Sequence, residues 1–239
     1  MSPVVAIHQP NFLPWLGFFD KIAQADVFVL LDQVQFIRRS WISRVAIREG
    51  DKAAWITIPV VHEGHPDGPI DTIRIAPEFR PDKIWTRLQH AYGRTPHWHS
   101  HVEPALAPMR SPHETLLSLN RALLISVMDV LGIDLGKLRW QSDLEGVGAK
   151  SALMASLTRA AGGEVYLSGG HPPVGGSPVG SAADYNDPEE YVRQGVTLRY
   201  QSFEHPTWDQ GAEGFVSGVS VLDALAHLGG GARDLLGRD

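Results

Sequence analysis

A histidine and two side-chain amides fall within four residues of one another near the start of the chain, in His8-Gln9-Pro10-Asn11. An imidazole can take up or release a proton near neutral pH, and the amides of Gln9 and Asn11 can orient a ligand by hydrogen bonding. Pro10 and Pro14 stiffen the backbone that carries them. A plainer role also suits these residues, because Asn is a common helix cap. The chemical reading gains from Asp32, which ends a second apolar run and can serve His8 as an assisting carboxylate. Gln35, Arg38, Arg39 and Arg44 follow it. Guanidinium forks grip carboxylate or phosphate through paired hydrogen bonds, and the interleaved Phe36 and Trp41 argue against a wholly solvated strip.

Three later groups add candidates. Lys150 lies where a strand gives way to a helix, a position in which backbone N–H groups can hold an anion. A P-loop is absent, since Ala149 stands where its second glycine belongs, and Lys150 equally suits a first-turn surface residue. Leu167-Ser168-Gly169-Gly170-His171 repeats the strand-end arrangement and, with Tyr185, can close over a ligand. His205-Pro206 and Gln210 form a further polar group whose place relative to the others spacing does not give. His97, His99 and His101 alternate as zinc or nickel ligands on one strand face would. Their neighbour Pro96 and the lone nearby carboxylate Glu103 favour a solvated histidine loop, and no metal is assigned.

These groups need elements to position them. Val4-Val5-Ala6-Ile7 and Val27-Phe28-Val29-Leu30-Leu31 are continuous apolar runs, too short for helices, that read as buried strands ending at His8 and Asp32. Between them, residues 15–25 carry apolar side chains at helical spacing. Strand, loop, helix and strand in this order make a right-handed parallel unit, which puts both polar ends on the carboxyl edge of one sheet. Residues 55–60 and 72–75 read as further strands, 82–92, 104–109 and 113–131 as helices, 138–141 as a strand, 149–161 as a helix, and 164–167 and 197–200 as strands. A helix over 220–228 closes the chain, and residues 168–181 read as a long glycine-rich loop of the kind that is functional or disordered. The expectation is a single α/β domain over residues 1–239, a mostly parallel sheet with flanking helices and a helical insert at about 80–135.

Composition narrows the chemistry. A net charge of −6 gives no general attraction to duplex nucleic acid or to an anionic membrane. No run approaches the roughly 20 apolar residues of a membrane span, and the N-terminus lacks a signal-peptide pattern, so a cytoplasmic protein is expected. Without cysteine there is no thiolate metal site and no protein thioester. No cofactor is assigned, and the G-x-S-x-G, H-E-x-x-H and G-x-G-x-x-G signatures are missing.

The stretch from Ile7 to Ile22 (Ile-His-Gln-Pro-Asn-Phe-Leu-Pro-Trp-Leu-Gly-Phe-Phe-Asp-Lys-Ile), followed by Asp26-Val27-Phe28-Val29 and Asp32-Gln33-Val34-Gln35-Phe36, resembles the WbqC-like family. The likeness continues through Tyr166-Leu167-Ser168-Gly169, Phe203-Glu204-His205-Pro206 and residues 215–223. It implies an enzyme of polysaccharide or natural-product biosynthesis that transfers an acyl or aminoacyl group to an amine. It also implies His8, Gln9, Asn11, Asp32, Arg38, Arg39, Lys150, Ser168 and His205 as site residues. Of these, the imidazoles of His8 and His205 and the carboxylate of Asp32 are the catalytic candidates. The expected partners are a small-molecule substrate and an acyl or aminoacyl carrier protein. Nucleotidylyl transfer or ATP-dependent ligation is the alternative reaction, and a non-catalytic scaffold subunit the alternative class.

Overall fold

The computed structural model describes residues 2–61, 68–170 and 186–237. Five strands, β1 (Val4–His8), β2 (Val27–Leu30), β5 (Leu138–Trp140), β6 (Val165–Ser168) and β7 (Thr197–Tyr200), form one sheet in the order β5-β2-β1-β6-β7. Every pairing in it is parallel. The apolar runs are continuous because the sheet is covered on both faces. Ala6, Phe28, Leu30 and Leu167 point into one core with α1 (Leu16–Gln24), while Val5, Ile7, Val29 and Leu31 point into another with α5 (Ser151–Ala160).

Helix α1 begins at Leu16 with Trp15 as its N-cap, and neither His8 nor Asn11 caps it. The Trp15 ring lies over Gly17, where a Cβ would come within 2.3 Å of it, so the helix needs glycine there. The polar loop ahead of α1 is held from elsewhere. Asn120, buried on α4 (Leu116–Val130), donates to the carbonyls of Pro10 and Ile42 at 2.8 Å each, and Phe12 N–H donates to the Trp41 carbonyl at 2.9 Å.

Two segments differ from expectation. Residues 44–49 form a strand, β3 (Arg44–Glu49), which pairs antiparallel with β4 (Lys52–Thr57) across a two-residue loop that has Gly50 at φ 63°. Glycine first in such a loop is what a tight hairpin requires. Residues 72–75 form no strand: a 3-10 turn, Ile70–Thr72, ends at the first of them, and Arg74 and Ile75 make isolated bridges to Thr115 and Val60. After the hairpin the chain runs through α2 (Pro81–Tyr92), a π-helical turn (Trp98–Val102), α3 (Glu103–Leu106) and α4, the helical stretch expected in the middle of the chain. The π-helical turn breaks the alternation that would have gathered His97, His99 and His101 on one strand face. His99 instead bonds Glu103 at 2.6 Å, and the His97 and His101 rings meet edge to face.

The glycine-rich loop falls mostly outside the described residues. The described chain resumes with Asn186 and α6 (Pro188–Arg193), a helix that residue periodicity did not reveal, and closes with α7 (Val221–Leu228) and a 3-10 helix (Gly229–Leu235). Among the described residues no helix is long and apolar enough to cross a membrane.

Candidate functional site

Strand order reverses between β1 and β6, since β2 and β5 lie to one side of that pair and β7 to the other. Open parallel sheets bind ligands outside the carboxyl ends of the strands at such a point. Here the two strands also part company. Their register stops at Ala6 and Leu167, whereas β1 stays paired with β2 through His8 and Leu30, and β6 with β7 through Ser168 and Tyr200. The carbonyl of His8 points to β2, where it accepts from Leu31 N–H, so alternation turns the Ile7 carbonyl toward β6. A continued ladder would offer that carbonyl to Gly169. Lys21 takes it instead, its Nζ donating to Ile7 O at 2.9 Å from α1.

Lys21 is a residue that sequence reasoning missed. Its signal was present, because it lies three residues from Phe18 and thus on the apolar face of an amphipathic helix. At 2% exposure its ammonium has lost nearly all hydration, and burial lowers its pKa to about 7. His8 sits above it at the strand end, half-buried, with its ring edge-on to Phe18 at 4.9 Å. Burial first and the charge of Lys21 second bring the imidazole pKa down to about 3, against a small opposing effect of the Gln9 carbonyl. His8 is therefore neutral across the physiological range. Its Nδ1 donates to Gln9 O at 3.0 Å, which leaves Nε2 with a lone pair and, among the described residues, no hydrogen-bond partner.

Asp32 occupies the carboxyl edge as expected, but a neighbouring strand end holds it. Its two oxygens accept from the backbone N–H and the hydroxyl of Ser142, at 3.0 and 2.6 Å, which ties the end of β2 to the loop after β5. Beside it, Gln141 accepts from Gln33 N–H. Replacing Asp32 by alanine should remove two hydrogen bonds to a charged acceptor and reduce stability by about 2 kcal/mol, read from urea unfolding. A loss of activity with unchanged stability would instead give Asp32 a direct part in the reaction.

The other expected residues divide. Ser168 is buried, its hydroxyl accepting from Asn186 at 2.9 Å, and it forms the β6 lip of the split. Gln9 and Asn11 lie on the β1 lip, half-buried and buried, with no side-chain hydrogen bonds among the described residues. Gln35, Arg38 and Arg39 are exposed on the loop after β2, and Lys150 is exposed ahead of α5. Arg44 turns away to the hairpin, with its guanidinium 4.4 Å over the Trp55 ring. His205 belongs to an aromatic cluster with Trp15, Phe203, Trp208 and Phe215. Both of its nitrogens are engaged by backbone, Nδ1 donating to Pro206 O at 2.8 Å and Nε2 accepting from Gly218 N–H at 3.3 Å. Tyr185 lies outside the described residues.

Backbone strain points to the same edge. Leu13, Arg39 and Lys150 are the described non-glycine residues with positive φ, at 42°, 56° and 52°, and they sit in the loops that follow β1, β2 and β5. Such conformations cost roughly 1 to 3 kcal/mol each and gather at functional sites.

Comparison with known proteins agrees with the family resemblance. Residues 9–234 match the model of the WbqC-like protein family. The uncharacterized protein Rv1507c of Mycobacterium tuberculosis (strain ATCC 25618 / H37Rv) is 31% identical over 237 residues, covering 97% of this chain and 96% of its own length. No solved structure matches. A match of this extent establishes that the chain belongs to the WbqC-like protein family.

Proposed function

We propose that the protein is a biosynthetic transferase that joins an acyl or aminoacyl group to an amine at the split between the ends of β1 and β6. The observation that carries this reading is the state of His8. With Nδ1–H committed to the Gln9 carbonyl, Nε2 offers a lone pair to an N–H or O–H group and no proton to a phosphate oxygen. An amine acceptor held there attacks the donor carbonyl carbon. A C–N bond forms, the bond to the leaving group breaks, and the amine proton passes by way of Nε2 to the leaving group. An anionic donor gripped by Arg38 and Arg39 would offset the charge of Lys21 and lift the His8 imidazole toward the range in which it accepts that proton.

The experiment is a thermal-shift screen of the purified protein against acyl and aminoacyl donors, amino acids, nucleotide sugars, and ATP with magnesium. It is followed by turnover with whichever donor stabilises the protein. Replacing His8 by alanine should cut kcat about 100-fold while the donor still raises Tm, and Arg38→Ala should abolish that rise. Undiminished turnover in the His8 variant would overturn the reading.

Nucleotidylyl transfer is the second reading, favoured by one observation. The reversal of strand order beside Gly169-Gly170 is the arrangement in which parallel sheets hold nucleotides. Stabilisation by ATP with magnesium alone would select it.

A further inference from the structure

The loop after β2 turns twice on its way to the hairpin, with Ser40 N–H donating to the Ile37 carbonyl and Ser43 N–H to that of Ser40. Arg38 and Arg39 occupy the corners of the first turn, and both are exposed. Arg39 stands there at φ 56°, where the backbone favours glycine, so the turn holds this guanidinium out at a cost in strain. Ile37, just before them, is 48% exposed. Trp41 follows, and its ring lies 5.1 Å from that of Trp55 on β4. Trp55 is 44% exposed and has the Arg44 guanidinium 4.4 Å over its face.

Charge on this surface has one sign. From Gln33 to Arg48 the chain has four arginines and no acidic residue, although the whole chain carries −6. Arg48 is buried and committed to residues 50, 210, 213 and 214. Arg38, Arg39 and Arg44 make no ion pair among the described residues. Tryptophan and arginine dominate the energetic centres of protein interfaces, and the isoleucine held out in water beside them adds an apolar anchor. The surface is also fastened to the proposed site. The Trp41 carbonyl accepts from Phe12 N–H at 2.9 Å in the loop that follows His8, and Asn120 ties Pro10 to Ile42.

We propose that this surface docks an acidic protein partner, a helix of which sets carboxylates on Arg38, Arg39 and Arg44 and an apolar side chain against Ile37 and Trp55, and that the partner delivers the acyl or aminoacyl donor to the split. The delivery rests on the transfer reaction proposed above, whereas the docking does not and is tested by binding alone. Arg38 and Arg39 keep the donor-binding role given to them there, with the negative charge supplied by the partner. A nucleic acid strand suits the surface less well. It needs a track of cations along its phosphates, which three guanidiniums on a chain of net charge −6 do not make, and Ile37 gives a base nothing to stack on.

Fluorescence anisotropy of a labelled amphipathic helical peptide of glutamate, leucine and alanine, titrated with the purified full chain, tests the docking. The same peptide with glutamine in place of glutamate removes the charge, and a single-stranded oligoadenylate of equal charge offers the other kind of anion. Saturable binding of the glutamate peptide is expected, about 10-fold tighter than that of either comparison and weakening as salt is added. Arg38→Glu and Trp55→Ser should each weaken it about 10-fold. Arg159→Glu, the same charge reversal at an exposed position near the end of α5, should leave it unchanged. Arg38 and Trp55 lie outside the hydrophobic core, so urea unfolding of both variants should stay close to that of the wild type. Absence of saturable binding, equal binding of the glutamine peptide, tighter binding of the oligoadenylate, or undiminished binding by the Trp55→Ser protein would overturn the proposal. A free acyl or aminoacyl donor that still raised Tm in any of these cases would leave the transfer reaction standing.

Discussion

Replacing Lys21 by methionine is expected to stabilise the protein at pH 7 and to flatten the dependence of its stability on pH. In the unfolded chain Lys21 titrates near its ordinary value of 10.5, and in the folded protein near 7. The folded state therefore sheds a proton that the unfolded state keeps between these values, and stability rises with pH across that window. Below pH 7 both states are protonated and the full penalty applies. A difference of 3.5 pH units corresponds to about 5 kcal/mol. Methionine removes the charge but leaves the Ile7 carbonyl without its partner, which returns about 1 to 3 kcal/mol of cost. The net gain at pH 6 to 7 is about 2 to 4 kcal/mol, and it should vanish as pH approaches 10. Urea unfolding of the two proteins from pH 6 to 10 measures it, and parallel profiles would mean that Lys21 is not depressed. His8 provides an internal check, since loss of the neighbouring charge should let its imidazole titrate above its present value of about 3.

Where an element's residues agreed with one another, the sequence read correctly. The unbroken apolar runs of β1, β2 and β6 need two covered faces, and that alone implies parallel strands with helices on either side. His8 and Asp32 accordingly stand at the carboxyl edge where their strands end. What could not be read was whom they would meet there. Asp32 is claimed by Ser142, a partner 110 residues away in the chain that comes within reach only when β5 docks beside β2. Lys21 hides for the opposite reason: a charged residue on an apolar face looks like an exposed one until its target, an unpaired strand carbonyl, is in view. Strand β3 is the clearest case. Arg44-Val45-Ala46-Ile47-Arg48-Glu49 has an apolar centre, but Arg44 reads with Arg38 and Arg39 as part of an anion site, whereas in the fold it stacks on Trp55. Helix α6 had a legible start, since Asp187 caps it and Pro188 occupies its first position. Its shortness left too little periodicity to see.

The buried Arg48 leads to the second large effect. Arg48→Met keeps the length and apolar stem of the side chain and removes the guanidinium that fastens residues 210–214 to the hairpin. Hydrogen bonds from a charged donor contribute more than neutral ones, and Arg48 makes four through its guanidinium. Removing the buried charge returns part of that, and residues 211–214 are exposed, so their freed carbonyls can turn to water. The balance is a loss of about 3 kcal/mol, measurable by urea unfolding, with faster proteolytic cutting near residues 211–214 as a local readout. Lysine at this position should rescue little, because a single ammonium cannot replace a fork that spans the Gly50, Glu213 and Gly214 carbonyls at once. The contrast with Lys21 follows from hydrogen bonding rather than from charge or depth. Both are buried cations, but Arg48 has its N–H groups matched largely to carbonyls while Lys21 has, among the described residues, one acceptor for its ammonium, so deleting the first weakens the fold and deleting the second strengthens it. A stabilised Arg48→Met protein would show that the fork contributes less than its desolvation costs.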